Sequence, residues 1–293
     1  IMAKKTRKKR KTNKKNKTKK LKCAPKKRSE TLEYTCYSPK TLHKLKRIWN
    51  IKHPDIKIVS NKPYDIWYAL SSFMRYTCQK ESCWLKQKFV KNKINKKTFS
   101  RTFRPYSPKS WKKKPTEWLS SIDIINVMRQ YEYKFKNFQF IGPSPIDYDS
   151  HEIYGECVWE ELCKFDLSKQ KKKNMIGVIF NLDPHYKPGS HWVAVYVDGK
   201  KKKIYYMDSY GDNPPERIMR FMKTVKHQSM RYGKPYKIEI SKKRHQFSNT
   251  ECGMFCLYFI IRMLYGDGYK KFMKQRVTDK KMKEMRKIYF NEK

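Results

Sequence analysis

The run Gln246-Phe247-Ser248-Asn249-Thr250-Glu251-Cys252-Gly253 leads directly into the apolar segment Met254 to Leu264. That segment reads as a helix, so Cys252 stands at a helix start, with a glycine after it and a glutamine six positions before it. Upstream stand His191-Trp192 and, seventeen residues after the histidine, Asp208-Ser209. A thiol attacks a carbonyl only as the thiolate, and a helix N-terminus beside an imidazolium favours that form. The set therefore suggests Cys252 as nucleophile, His191 as its general base, and Asp208 as the group that fixes the imidazole. Gln246 is placed as a donor to a developing oxyanion, and Gly253 as room for a substrate backbone. Each residue alone has a plain structural reading: a core cysteine, a strand cap, a turn, a polar loop. The ordered set on suitable elements is what points to a thiol protease.

Working outward, Ile176 to Leu182 is a short apolar run. His191 to Val197 alternates, with Trp192, Ala194 and Tyr196 on one side and Val193, Val195 and Val197 on the other. Asp198-Gly199 signals a hairpin turn, and Ile204 to Met207 is the return strand. A strand-start His191 and a strand-end Asp208 of one hairpin can then meet at a single sheet edge, since paired strands lie about 5 Å apart. Pro215 opens a helix to about His227, and Tyr236 to Ile240 is a further strand. Helices are also expected from Thr116 as N-cap through Tyr131, around Val158 to Phe165, and from Tyr269 to Tyr289. The expected fold is α+β, a mainly antiparallel sheet flanked by helices.

The chain has 293 residues, 38% hydrophobic and 15% aromatic, enough for a sizeable core. Its net charge of +45 points to a polyanionic neighbour such as nucleic acid. With four Ala and abundant Lys, Ile, Asn and Tyr, part of that charge reflects A/T-rich coding. Sixteen of the first twenty-eight residues are Lys or Arg, so residues 1–29 read as a disordered basic tail, suited to nonspecific phosphate contacts, with Cys23 an exposed thiol. Met2 is taken as the start residue. Residues 30–112 read as a small helical region, with Leu42, Leu45, Ile48 and Trp49 on one face and a second helix from Ile66 to Met74. Cys78 and Cys83 fit no common zinc spacing and read as buried structural cysteines. The Lys-rich stretch from Lys86 reads as a linker, and residues 113–293 as the catalytic domain. No secretory signal is visible, and the longest apolar run, Met254 to Ile261, is too short to span a bilayer. The expectation is an intracellular, monomeric protein with reduced thiols, in host cytoplasm, nucleus or virion, with no membrane contact.

From Trp118 to about Tyr289 the chain resembles the catalytic domain of the ubiquitin-like-protein proteases, the SUMO-protease and adenovirus-endopeptidase group. The resemblance rests on Trp118-Leu119, His191-Trp192, Asp208-Ser209 and Gln246 through Cys252-Gly253. His191 to Ala194, Gly211 to Pro215 and Thr250 to Gly253 resemble the polyprotein-processing branch of African swine fever virus and other large DNA viruses. The resemblance implies a cysteine endopeptidase without metal or organic cofactor, acting on protein substrates after Gly-Gly-like sequences. It also implies that Trp118 and Trp192 line a slot too narrow for any Cβ. Ser120-Ser121 and the loop Phe247 to Glu251 depart from the cellular SUMO-protease pattern and favour a viral polyprotein over ubiquitin-like deconjugation. Two readings from other classes stand beside this one: an acetyltransferase of related fold, and a non-enzymatic basic virion protein.

Overall fold

The computed structural model describes residues 22–95, 97–151, 154–170, 172–233 and 235–292. The basic tail expected over residues 1–21 lies outside them. Five strands form one sheet in the order β1 to β5: β1 (Phe138–Pro145), β2 (Met175–Asn181), β3 (Trp192–Asp198), β4 (Lys203–Met207) and β5 (Lys237–Ile240). The hairpins β2–β3 and β3–β4 are antiparallel, but β1 runs parallel to β2 and β5 parallel to β4. The sheet is thus mixed rather than mainly antiparallel. The outer strands are joined to it through long connections, which is what parallel pairing requires. β1 was not expected at all. Its Pro143 and Pro145 cannot donate to a ladder, so it reads poorly as a strand, and the fold tolerates it only at the sheet edge.

Eleven helices lie among the described residues. The N-terminal ones are α1 (Pro39–Lys52), α2 (Pro63–Met74), α3 (Glu81–Trp84), α4 (Lys88–Lys91) and α5 (Lys97–Thr102). Around the sheet stand α6 (Ser121–Lys134), α7 (Glu160–Cys163), α8 (Glu216–Ser229), α9 (Cys252–Leu264), α10 (Tyr269–Lys274) and α11 (Asp279–Tyr289). None is long and apolar enough to cross a membrane.

The alternation of β3 sorts the two faces of the sheet. Trp192, Ala194 and Tyr196 join the core made with α6, α9 and α11, while Val193, Val195 and Val197 join the core made with α8. Helix α9 is buried almost all round, as its uniformly apolar sequence requires, leaving Tyr258 and Arg262 less enclosed. It passes close to the sheet at Gly177, where a Cβ would come 3.2 Å from Ile260 and 3.0 Å from Phe138.

Several expected boundaries move for identifiable reasons. Helix α6 starts at Ser121, not Thr116, because Ser120 and Asp123 form a capping box. Trp118 and Leu119 are thereby left outside the helix. The final helix is two, because Thr278 caps α11 through its bond from the Lys281 amide. The expected linker from Lys86 is largely packed. Val90 and Phe103 are buried in a third core with Tyr37, Leu42, Ile66, Trp84 and others, and Phe89, Ile94 and Phe99 pack against it. Interleaved lysines hid that apolar pattern. Residues 22–29 are also attached: Ala24 is buried, and Cys23 bridges to Phe103.

The cysteines correct the expectation of reduced thiols. Cys23–Cys36, Cys78–Cys83 and Cys157–Cys163 are disulfides, while Cys252 and Cys256 are free and buried. The partners are 13, 5 and 6 residues apart, and local turns set their Cα atoms 5.1 to 6.2 Å apart. Cysteine count could not show these proximities. His151 lies 3.4 Å from the Cys157 sulfur, and this trio with Cys163 is the only metal-like His/Cys/acid cluster among the described residues. Its sulfurs are joined to each other, so it presents no thiolates to an ion.

Candidate active site

The hairpin β3–β4 brings His191 and Asp208 to one end of the sheet. The last paired residues there are Ala194 and Met207; Asp208 follows at once, and His191 precedes β3. The His191 Nε2 lies 2.7 Å from Asp208 Oδ1. The same carboxylate oxygen accepts the Tyr210 amide at 2.9 Å, and the Tyr210 ring stacks on the imidazole with centroids 4.9 Å apart. Gly211, with φ +86°, turns the chain away, and a Cβ there would come 2.8 Å from the Lys242 carbonyl. Asp208 is nearly inaccessible and His191 largely enclosed.

Burial alone pulls the His191 imidazole down. Hydrogen bonds donated to Asp208 and Cys252, with the charges of those groups, outweigh it and hold the group at about 9. With Nε2 committed to Asp208, the other ring nitrogen serves Cys252. The imidazolium is therefore kept below about pH 9 and is lost as the pH rises through it. The alkaline limb of kcat/KM is expected near 9, and Asp208→Asn is expected to move it down, read from a pH–rate profile.

Cys252 is the first residue of α9. Glu251, at the N-cap, makes no side-chain cap, because its carboxylate is turned to Arg286, whose Nε donates to it at 2.8 Å. The amides of the first helical turn are thus not consumed by a capping carboxylate. Cys256, one turn on, is fully buried, and burial pushes its thiol well above the ordinary range. It is a packing residue.

Gln246 is completely buried beside this centre. Its Oε1 accepts from the Ser209 hydroxyl at 2.7 Å, and its Nε2 donates to the Ser248 carbonyl at 2.6 Å and approaches the Tyr210 hydroxyl at 3.4 Å. Trp192 is buried, its Nε1 donating to the Leu119 carbonyl at 3.1 Å. Trp118 is 43% exposed and donates to the Asn249 carbonyl at 2.8 Å. Both tryptophans line an open groove of about 940 Å³, walled further on by Pro143, Pro145, Trp159, Asp183 and Pro188. Gly253 has a different task from the one expected. A Cβ on it would lie 3.1 Å from Leu119 and 3.2 Å from Trp192, so the missing side chain seats those two residues rather than a substrate.

The structure thus brings His191, Asp208 and Cys252 together, with Gln246, Trp118, Trp192 and Gly253 around them. Sequence reasoning missed Tyr210 and the Glu251–Arg286 pair, and gave Ser209 and Leu119, quoted in the motifs, no role of their own. Tyr210 and Ser209 follow Asp208 directly and could have been found there; nothing in the sequence links Arg286 to Glu251 across 35 positions.

His245, next to Gln246, is buried with its Nδ1 accepting the Val277 amide at 3.1 Å. Burial, with Lys243 and Arg276 nearby, pulls it to about 4. The folded chain therefore binds fewer protons than the unfolded chain between about pH 4 and the ordinary value of 6.5. Its stability contribution is complete above 6.5 and falls as the pH drops through that window. His245→Asn keeps an acceptor for Val277, and its Tm is expected to fall less than the wild type's from pH 7 to pH 5.

A cysteine at a buried helix start beside a hairpin His–Asp pair, on a mixed-sheet scaffold, is an arrangement suited to thiol-protease chemistry. Residues 134–293 match the Ulp1 protease family, C-terminal catalytic domain, and the chain belongs to that family of cysteine peptidases. It is 31% identical to a thiol protease of Acanthamoeba polyphaga mimivirus, over 88% of this chain and 84% of that one. It is 28% identical to the cysteine protease of African swine fever virus, over 71% and 81%, a protein called a SUMO-1 cysteine protease in other isolates. The crystal structure of the African swine fever virus protease superimposes with TM-score 0.63 at 23% identity, covering 93% of this chain and 96% of that one.

Proposed function

We propose that this cysteine protease is an endopeptidase that cleaves after Gly-Gly-like sequences through an acyl-enzyme on Cys252, in the processing of viral polyproteins. The observation that carries the reading is the 2.7 Å His191–Asp208 bond beside a cysteine at an uncapped helix start. His191 takes the thiol proton, and the Cys252 sulfur attacks the scissile carbonyl. The oxyanion that forms is met by the Cys252 backbone N–H and by Gln246. Ser248 takes one of the two Gln246 amide hydrogens; the 3.4 Å approach to Tyr210 is too long to bind the second strongly. The imidazolium then protonates the leaving amine, and water, deprotonated by His191, releases the acid and restores the thiol.

Specificity in this reading comes from the two tryptophans. Trp192 is fixed by Leu119 and Gly253, and Trp118 by Asn249, so the groove they line has rigid aromatic walls. Residues with no Cβ pass such walls most easily. The basic N-terminal sequence would hold the enzyme near nucleic acid inside an infected cell or particle. Incubation with fluorogenic peptides ending in Gly-Gly, beside folded SUMO and ubiquitin fusions, tests the assignment. Turnover of the peptides supports polyprotein processing. Turnover of the fusions alone would replace it with deconjugation, and inertness toward both would overturn it.

A further inference from the structure

A second cavity, of about 590 Å³, lies between residues 107–116 and α11, apart from the substrate groove. Pro108, Trp111, Pro115 and Phe290 give it an apolar wall, and the exposed Lys109, Lys112, Lys283 and Lys287 surround it. Glu292 is the one acid in its lining. Arg286 also lines it, although that side chain is 95% buried. The Arg286 guanidinium lies over the Trp111 ring, 4.5 Å from its centroid, and Phe290 meets the same ring edge-on at 5.0 Å. Its Nε donates to Glu251 and its Nη2 to the Thr250 carbonyl at 3.5 Å, but Nη1 has no hydrogen-bond partner among the described residues. A buried guanidinium N–H without an acceptor is costly.

We propose that this cavity binds a small organic anion with a planar body and phosphate groups, the chemistry of a nucleotide, and that Arg286 and Glu251 transmit its presence to Cys252. The volume and the apolar wall with a few polar groups are those of a small-molecule pocket. The aromatic wall takes a planar body, and lysines serve as point-charge phosphate ligands. A bare inorganic anion would leave the apolar wall unfilled. A phosphate on the Arg286 side supplies the acceptor that Nη1 lacks. That fixes the guanidinium and, through it, Glu251, the residue that sets the first turn of α9. The transmission rests on Cys252 being the nucleophile; binding does not.

Isothermal titration of the full chain with ATP, tripolyphosphate and adenosine, all without metal, tests the binding. One saturable ATP site is expected, with tripolyphosphate and adenosine each at least about tenfold weaker. Lys283→Glu with Lys287→Glu should weaken ATP about tenfold or more. The charge-matched Lys223→Glu with Lys226→Glu, on α8 across the sheet, should not. Absence of ATP binding, equal binding of tripolyphosphate, or equal loss in both variants would each overturn the site and leave only attraction to a cationic protein. Thermal melts show whether the variants are folded. Saturating ATP is expected to raise the iodoacetamide alkylation rate of Cys252 about fivefold or more; an unchanged rate overturns the transmission. Failure of wild-type turnover would count against the active-site reading instead, since calorimetry does not depend on it.

Discussion

Cys252→Ala is expected to lower kcat on a Gly-Gly peptide by about four to six orders of magnitude, with Tm held close to the wild-type value. The size follows from losing a nucleophile that acts as a unit with its base: in such units one deletion costs nearly as much as removing all members. His191→Ala should therefore fall to a similar rate, and the double variant should be little worse than either single one. The side chain is buried at the start of α9, among Leu119, Trp192 and Phe255, so alanine removes only a sulfur from the packing. Cys256→Ala separates chemistry from packing, because burial keeps that thiol protonated and it faces the core. It should change stability and leave the order of magnitude of kcat unaltered. Single-turnover rates measured on the wild type and all four variants check this. A Cys252→Ala protein that is folded and retains turnover within tenfold of wild type would remove the nucleophile from the account.

The second large effect is structural. Glu251→Ala is expected to destabilise the fold by about 3–5 kcal/mol, because it strands the buried Arg286 charge with neither its carboxylate nor water. Both partners are almost inaccessible, and the pair ties α11 to the residue before Cys252. Breaking a buried pair costs far more than replacing it whole. Glu251→Leu with Arg286→Met should accordingly recover most of the lost stability, while leaving the α9 N-terminus less firmly held and kcat reduced. Urea midpoints at constant slope give the stabilities. Additive losses in the double variant would mean that the two side chains do not compensate each other's charge.

The central hairpin was legible because its physics is local. Period-two alternation in β3, the Asp198-Gly199 turn and the apolar run after Cys252 each follow from neighbouring residues. They suffice to set His191 and Asp208 at one end of the sheet and Cys252 at a helix start; that the two meet is a long-range fact of the fold. The sheet's edges were not legible, since β1 contains prolines and pairs in parallel with a strand thirty-odd residues away. The N-terminal core was hidden by composition: Phe89, Val90, Ile94, Phe99 and Phe103 are apolar positions in a background of lysine. Gly253 shows a third kind of limit. A glycine beside a nucleophile invites a substrate reading, but only the packed structure shows that Leu119 and Trp192 occupy the space. The disulfides and the Glu251–Arg286 pair depend on which segments meet, which spacing alone does not reveal.

The most direct test of the account is to label the wild-type chain with a Gly-Gly peptide carrying a C-terminal vinyl methyl ester and to map the adduct by peptide mass spectrometry. One adduct, on Cys252 and on neither Cys256 nor a reduced disulfide cysteine, is predicted, and it should vanish at the same concentration in His191→Ala. Labelling at another cysteine, or undiminished labelling of Cys252 without His191, would contradict the assignment of the nucleophile and its base.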